Sequence, residues 1–168
     1  MQKLLTHCCL TVLAATLCGC PYSSPYPLDA TATEPVRTQL LGSWNYISEV
    51  NKEQTIVTIS QKTDTDYSIA LSGSIAAFTS LSLKNLISGT GFTSTVDSNH
   101  FLNIFYNSRW YIVHLIEKNN KLSLLPLTEH FTNKIITNSI GLRTALSYHM
   151  KHRLMAAYDD IKLEEMQR

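Results

Sequence analysis

The sequence predicts a mainly β protein, an antiparallel meander that forms a small barrel or a curled open sheet with one C-terminal helix packed on it. Three observations support this fold class. Short runs rich in β-branched and aromatic residues follow one another closely, with polar turns between them. Only 16% of the residues are charged, while Thr, Ser, Asn and Tyr are plentiful, as is typical of half-exposed strands. Helical spacing of apolar residues begins only at Ser139.

The strands are predicted from the alternation and composition of each run. Lys118-Asn119-Asn120-Lys121 is typical of a hairpin turn, because Asn tolerates positive φ. Gly89-Thr90-Gly91 is interpreted as a break before Phe92. The predicted strands cover residues 44–50, 55–61, 67–71, 75–83, 100–106, 109–117 and 122–127.

The C-terminal helix is predicted from the period of its apolar residues, and Asn138 or Ser139 can cap its first turn. Cations near its end suit the helix dipole, and we expect the helix to pack on an open edge or mouth of the sheet. Residues 154–168 are predicted to be an acidic tail. The apolar face consists of Leu142, Ala145, Leu146, His149 and Met150.

All four cysteines lie within the first twenty residues. The mostly apolar run 4–17 follows Lys3 and is too short to span a bilayer as a helix. A zinc site would need further Cys or His ligands at suitable spacing, a redox Cys-x-x-Cys motif is absent, and a disulfide framework needs cysteines spread over the domain. A targeting segment remains, either a lipoprotein signal or a plain signal peptide cleaved elsewhere.

The motif Leu17-Cys18-Gly19-Cys20 resembles the lipobox of bacterial lipoproteins. The resemblance implies signal cleavage between Gly19 and Cys20, attachment of lipid, palmitate included, to Cys20, and a membrane partner held through the acyl chains. Loss of residues 1–19 would leave 149 residues with 13 basic and 13 acidic side chains and no free thiol. Pro21 rather than Asp follows the cysteine, which under the sorting pattern of Gram-negative lipoproteins implies the outer membrane.

We therefore expect four parts in the chain. Residues 1–19 are the signal peptide, and residues 20–37 are the lipidated cysteine and a flexible tether, since prolines at 21, 25, 27 and 35 exclude regular helix or sheet. Residues 38–153 are the β-meander domain with its helix, and residues 154–168 are the tail.

The entry Gly42-Ser43-Trp44 into the first strand resembles the start of lipocalin-like domains, and the strand run resembles small uncharacterised bacterial lipoproteins. The pair Arg109-Trp110 resembles the site of the arginine that stacks over the first-strand tryptophan in many lipocalins. The resemblance implies a barrel mouth for a small apolar ligand, although the spacing equally allows an open half-barrel. The possible pocket lining is Trp44, Phe78, Phe101, Phe105 and Tyr111.

No assembled catalytic motif is recognisable, since Gly-x-Ser-x-Gly, a phosphate-binding loop and His-Glu-x-x-His are all absent. His149-x-x-His152 could bind a metal only with a third ligand such as His130 or Glu129, and cations surround it. His114 is either an ordinary strand residue or a general base. We assign no catalytic residue, metal or cofactor.

The function expected from the sequence is that of a lipid-anchored cell-envelope protein. It is a non-catalytic binding or interaction module for a small apolar ligand or an envelope protein. The alternative is an envelope enzyme with an unrecognised His/Asp site. The net charge of +1 gives no reason to expect a nucleic-acid partner.

Overall fold

Strands dominate the computed structural model, which describes residues 22–48, 52–73, 87–128, 131–132, 135–152 and 163–168. A single turn of 3₁₀ helix, Thr38–Leu40, precedes the first long strand. The strands are β1 (Ser23–Ser24), β2 (Gly42–Ile47), β3 (Gln54–Gln61), β4 (Tyr67–Gly73), β5 (Ile87–Val96), β6 (Asn99–Tyr106), β7 (Arg109–Lys118), β8 (Lys121–Pro126) and β9 (Leu163–Met166), and the helix α1 is Ser139–His152.

The sheet is an antiparallel meander in which β2 to β9 are neighbours in chain order, while β1 pairs with β7. Backbone bonds between Asn45 and Gln167, 2.6 and 3.0 Å long, bring β9 back to β2. The sheet is therefore nearly closed into a barrel. The predicted fold class, a mainly β meander with one C-terminal helix, is confirmed.

Two-residue turns join β5 to β6, β6 to β7, and β7 to β8. Both residues of each turn have positive φ, which Asn, Asp and Ser at these places tolerate and which matches the right-handed twist of hairpin strands. The predicted turn at Asn119 and Asn120, with φ of 53° and 60°, is confirmed. The other two turns are Asp97-Ser98 and Asn107-Ser108.

Two apolar clusters lie on opposite sides of the barrel wall. Trp44, Tyr67 and Leu102 belong to the first, which fills the barrel interior with side chains from seven strands. Phe101 and Ile112 belong to the second, which lies between the outer face of the wall and α1. The alternation of neighbouring residues between the two faces, as at Phe101 and Leu102, explains how one strand serves both clusters.

Asn138 caps α1, since its side-chain oxygen accepts a 2.7 Å hydrogen bond from the Gly141 amide. The apolar face predicted for this helix is also confirmed, because Leu142, Leu146 and His149 are buried. The helix packs on the outside of the barrel wall rather than on an open edge or mouth of the sheet.

The predicted break at Gly89-Thr90-Gly91 is wrong, because these residues lie inside β5. A Cβ atom at Gly91 would press against the carbonyl oxygen of Asn103, and one at Gly89 would lie 2.9 Å from that of Phe105. The glycines therefore permit a close approach of β5 and β6 instead of ending a strand. The predicted strand 75–83 lies outside the described residues.

The predicted flexible tether is wrong for residues 22–37, which pack along the barrel. Ser23 and Ser24 pair with β7, and Leu28 is fully buried in the outer cluster. The Leu28 amide donates a 2.7 Å hydrogen bond to the side chain of Asn103. Proline excludes helix and central strand, but it allows an extended segment that packs through alternate side chains.

The predicted C-terminal tail is also wrong for its last six residues, because β9 completes the barrel. Leu163 and Met166 are buried in the interior cluster, and the two glutamates between them point outwards. The short apolar–acidic–acidic–apolar pattern is that of a strand with a bulge rather than of an exposed tail.

Residues 37–44 close one end of the barrel. The Trp44 indole N–H donates to the Leu40 carbonyl at 2.9 Å. Arg168 lies 4.9 Å from the centroid of the Trp44 ring and donates to the carbonyls of Gln39 and Leu41. The arginine stacked on Trp44 of β2 is therefore Arg168, whereas the Arg109 side chain donates hydrogen bonds to Ser23.

Candidate functional site

The described residues of the predicted pocket lining do not surround one cavity. Trp44 lies in the barrel interior, whereas Phe101 is buried in the outer cluster. Phe105 lies on the outer face, 40% exposed, and Tyr111 is half-buried opposite Ser23. Phe101 and Phe105 do not point into the barrel, because the alternation of side chains along β6 turns both of them outwards. Phe78 lies outside the described residues.

The barrel interior is occupied by its own side chains over the part of the chain that the structure describes. Large residues such as Tyr67, Ile59 and Met166 have almost no exposed surface there. The Tyr67 hydroxyl also accepts a 2.7 Å hydrogen bond from the Arg37 amide, which fixes the ring in place. An eight-stranded barrel is narrow enough for side chains to fill it in this way.

The histidines singled out from the sequence lie in separate environments. His114 is buried on the outer face and stacks on Phe101 at 4.9 Å. Burial lowers the pKa of His114 to about 4, and the charge of His100 adds to the effect. His149 is buried against α1's neighbour Phe131, while His152 is exposed and stacks on Tyr148.

His149 and His152 therefore do not form a pair for one metal ion. Within the described ranges, no group of three or more His, Cys, Asp or Glu side chains is placed to hold a metal. Glu129 and His130, the suggested third ligands, lie outside those ranges, as do Gly19 and Cys20 of the predicted lipobox. Of the helices in the described part of the chain, none is both long and apolar enough to cross a membrane.

Apolar and charged side chains converge at a groove where β9 meets β2, which we call the seam groove. It has a volume of about 910 Å³ and lies on the outer face of β2, β7, β8 and β9. Ile47, 61% exposed, and Ile116, 40% exposed, give it two apolar contact points. The other groove residues used below are Asn45, Lys118, Lys121, Glu164 and Glu165.

Charges of both signs lie along the seam groove. Lys121 and Glu165 form an ion pair at 2.7 Å. The hydrogen bond from Lys121 lowers the pKa of Glu165, and the charges of Lys121 and Lys118 act in the same direction. The groove therefore offers paired carboxylate and ammonium groups beside two isoleucine side chains, a combination suited to a polar chain with intermittent apolar side chains.

The seam groove also exposes part of a strand edge. In the described part of the chain, Asn45 is the one β2 residue with a bridge across the seam, and its partner Gln167 directly follows β9. Glu165 has a φ of 53°, and its amide donates a 2.9 Å hydrogen bond to the Ser123 hydroxyl of β8. Among the described residues, the Ile47 end of β2 has no pairing partner on its β9 side, and a sheet edge of this kind can accept an extended peptide.

Sequence reasoning missed this groove because it missed β9. The predicted acidic tail, residues 154–168, includes both glutamates of the groove, and Ile47 lies within the predicted strand 44–50. The signal that could have located the strand is the apolar pair Leu163 and Met166 on either side of the glutamates.

Comparison of the chain with protein-family models, with curated proteins and with solved structures finds no match.

Proposed function

We propose that this chain is a lipid-anchored protein of the cell envelope that acts as a non-catalytic interaction module. In this proposal Cys20 carries the acyl chains, and the seam groove binds an extended segment of an envelope protein partner. The observation that carries the proposal is the groove itself, where a strand end without a pairing partner among the described residues lies beside the exposed side chains of Ile47 and Ile116.

The chemistry of the groove favours a peptide over a small apolar ligand. Backbone groups of β2 would give affinity, while Ile47, Ile116 and the paired charges would select side chains on the partner. A small apolar ligand in the barrel is less well supported, because the described interior positions are packed. If the organism is Gram-negative, Pro21 favours the outer membrane as the place of this interaction.

A kinship with lipocalin-like domains is part of the proposal. A turn of 3₁₀ helix, Gly42-Ser43-Trp44 and an arginine stacked on the tryptophan support it, because together they close one end of a meander barrel. The role assigned to Arg109 from the sequence would then belong to Arg168.

The anchor is tested by labelling growing cells with palmitate. Label should enter the wild-type protein and be absent from Cys20→Ala, which should also leave the membrane fraction. Label that persists in Cys20→Ala would overturn the lipid attachment, whatever the groove does.

The groove is tested by placing a photo-crosslinking amino acid at position 47 in living cells. A defined adduct with one envelope protein is expected, and Ile116→Glu should abolish it by placing a buried charge in the contact. The matched control carries the same amino acid at Ser60, an exposed residue of neighbouring β3. An adduct of equal yield from Ser60, or one unaffected by Ile116→Glu, would contradict the proposal.

A further inference from the structure

The chain leaves the proposed anchor and reaches the barrel almost at once. Tyr22 is fixed by a 2.7 Å hydrogen bond from its amide to the Leu127 carbonyl. Its ring packs edge-on against Phe131 at 4.6 Å. Cys20 is two residues from Tyr22, a span of at most about 7 Å. Acyl chains on Cys20 would therefore enter the bilayer close to this part of the barrel wall.

The element beside this point is α1. Tyr22 packs against the outer cluster that contains Leu142 and Leu146, and its contact Phe131 also faces His149 in the last helical turn. Whatever surface α1 presents to the outside therefore lies next to the proposed anchor.

The outward surface of α1 carries exposed apolar side chains, with Thr144, Lys151 and His152 exposed beside them. Ile140 is 78% exposed and Tyr148 57% exposed, and their spacing of eight residues places them on one face of the helix. Ile135, in the segment that leads into α1, is 91% exposed. We call these three residues the helix patch. An apolar face of this kind next to an acyl chain suits the bilayer interface.

Charge contributes little to this surface. Residues 130–158 of the sequence contain four Lys or Arg and no Asp or Glu. The two of these cations that the structure describes each lie beside a carboxylate of another element, since Arg143 pairs with Asp29 at 2.7 Å and Lys151 lies 3.7 Å from Asp97. Docking through this surface therefore rests on its apolar side chains rather than on charge.

We propose that the helix patch of α1 docks on the lipid surface that holds the acyl chains, so that the barrel lies against the bilayer. The proposal rests on the lipid anchor proposed above. The apolar side chains of Ile135, Ile140 and Tyr148 enter the interface. The seam groove begins at β7, two strands around the barrel from β5, and extends to β9 and β2; in this orientation it remains open to the aqueous side.

The test uses the full, lipidated protein in vesicles of phosphatidylethanolamine and phosphatidylglycerol. A cysteine is introduced by Ile140→Cys and labelled with an environment-sensitive fluorophore, with Ile47→Cys as the matched exposed isoleucine in the seam groove. Lipids that carry a quencher near the headgroup should quench the probe at position 140 about threefold more than the probe at position 47. Tyr148→Glu should remove most of that difference.

The outcomes separate the two proposals. Loss of palmitate labelling overturns the anchor. A labelled, vesicle-bound protein with equal quenching at both positions overturns docking and leaves the anchor standing. Stronger quenching at position 47 would place the seam groove on the membrane instead. Concentration-dependent disulfide cross-linking between copies at position 140, without quenching, would show that a second chain covers the patch, and docking would be overturned.

Discussion

Asn103 is the residue that joins the N-terminal segment to the barrel. Its side chain is fully buried, accepts from the Leu28 amide at 2.7 Å, and donates to the Ser94 hydroxyl at 2.8 Å and the Phe92 carbonyl at 3.2 Å. The side-chain oxygen and the side-chain nitrogen of Asn103 therefore both have hydrogen-bond partners. A buried polar group is costly only when it is left without partners, so Asn103 stabilises the contact while its partners stay in place.

Asn103→Leu keeps the volume of the side chain but leaves the Leu28 amide and its other partners unsatisfied. We expect a loss of about 2–4 kcal/mol in the free energy of unfolding, measured by urea denaturation. Hydrogen exchange at the Leu28 amide should accelerate before that of the interior strands. Asn99→Ala is the control, because Asn99 is half-buried and bonds only to carbonyls of its own turn. Equal losses in both variants would contradict the role of Asn103.

His114 predicts how stability depends on pH. Burial lowers its pKa in the folded protein from 6.5 to about 4, so the unfolded chain binds a proton more readily. Stability is unaffected by this group above pH 6.5, falls as the pH decreases below 6.5, and carries the full penalty below about pH 4. The measurement is the urea midpoint across this range.

The control for His114 is a variant without the titrating ring. His114→Phe preserves the stacking with Phe101 and should flatten the pH dependence between 6.5 and 4. An unchanged pH profile in His114→Phe would show that another group causes the acid sensitivity.

At the scale of single residues, local chemistry could be predicted and long-range contacts could not. The Asn119-Asn120 turn follows from the tolerance of Asn for positive φ, and it is present. The resemblance to lipocalins predicts that Arg109, which precedes Trp110, stacks over the tryptophan of the first strand. The arginine that stacks over Trp44 in the structure is Arg168. A contact between residues 124 positions apart leaves no local pattern in the sequence.

Gly91 of β5 and Gly141 of α1 allow a sharp comparison of the same substitution in two elements. Gly91→Ala places a Cβ against the Asn103 carbonyl in the next strand. We expect a loss of about 2–3 kcal/mol in the free energy of unfolding, because neither backbone can move without breaking the ladder.

Gly141→Ala is the matched control in α1. Its Cβ would lie 3.4 Å from the Asn138 side-chain oxygen, an ordinary contact. Alanine favours the helix over glycine, so stability should be unchanged or increase by up to about 1 kcal/mol. Thermal or urea unfolding of both variants measures the difference. A tolerated Gly91→Ala would mean that β5 and β6 are not packed as closely as the structure places them.

The elements predicted well from sequence are those with a strong local period, and the missed ones depend on partners far away in the chain. α1 and β6 to β8 follow from 3.6-residue or two-residue periods. The segment 22–37 and β9 contain too few regularly spaced apolar residues to show a period, so the sequence does not reveal which of their side chains are buried. They become ordered only because the completed sheet offers Asn103, the β7 edge and the interior cluster as partners. The seam groove, built from β9, was unpredictable for the same reason.

For the whole molecule, the proposed anchor, α1 and the seam groove fall into a consistent order. The N-terminal segment and α1 cover the outer wall of β5 to β7, while β9 meets β2 on the other side of the ring. If the anchor draws α1 to the bilayer, the groove faces a partner in the aqueous space. A long tether would leave this orientation undefined, whereas the packed segment that begins at Tyr22 fixes it.

The orientation predicts how a bulky thiol reagent reaches the protein on vesicles. In lipidated protein of native length, a polyethylene glycol maleimide should modify Ile140→Cys about tenfold more slowly than Ile47→Cys, because the bilayer covers α1 within the short reach of Cys20. In detergent both variants should react at similar rates.

Inserting about 20 Gly and Ser residues between Pro21 and Tyr22 adds a reach of roughly 25 Å. That distance matches the length of α1, so the insertion should restore the reaction at position 140. Protection of position 140 in detergent would mean that protein rather than lipid covers the helix patch, and equal rates on vesicles at native length would show that the barrel does not rest on the bilayer through α1.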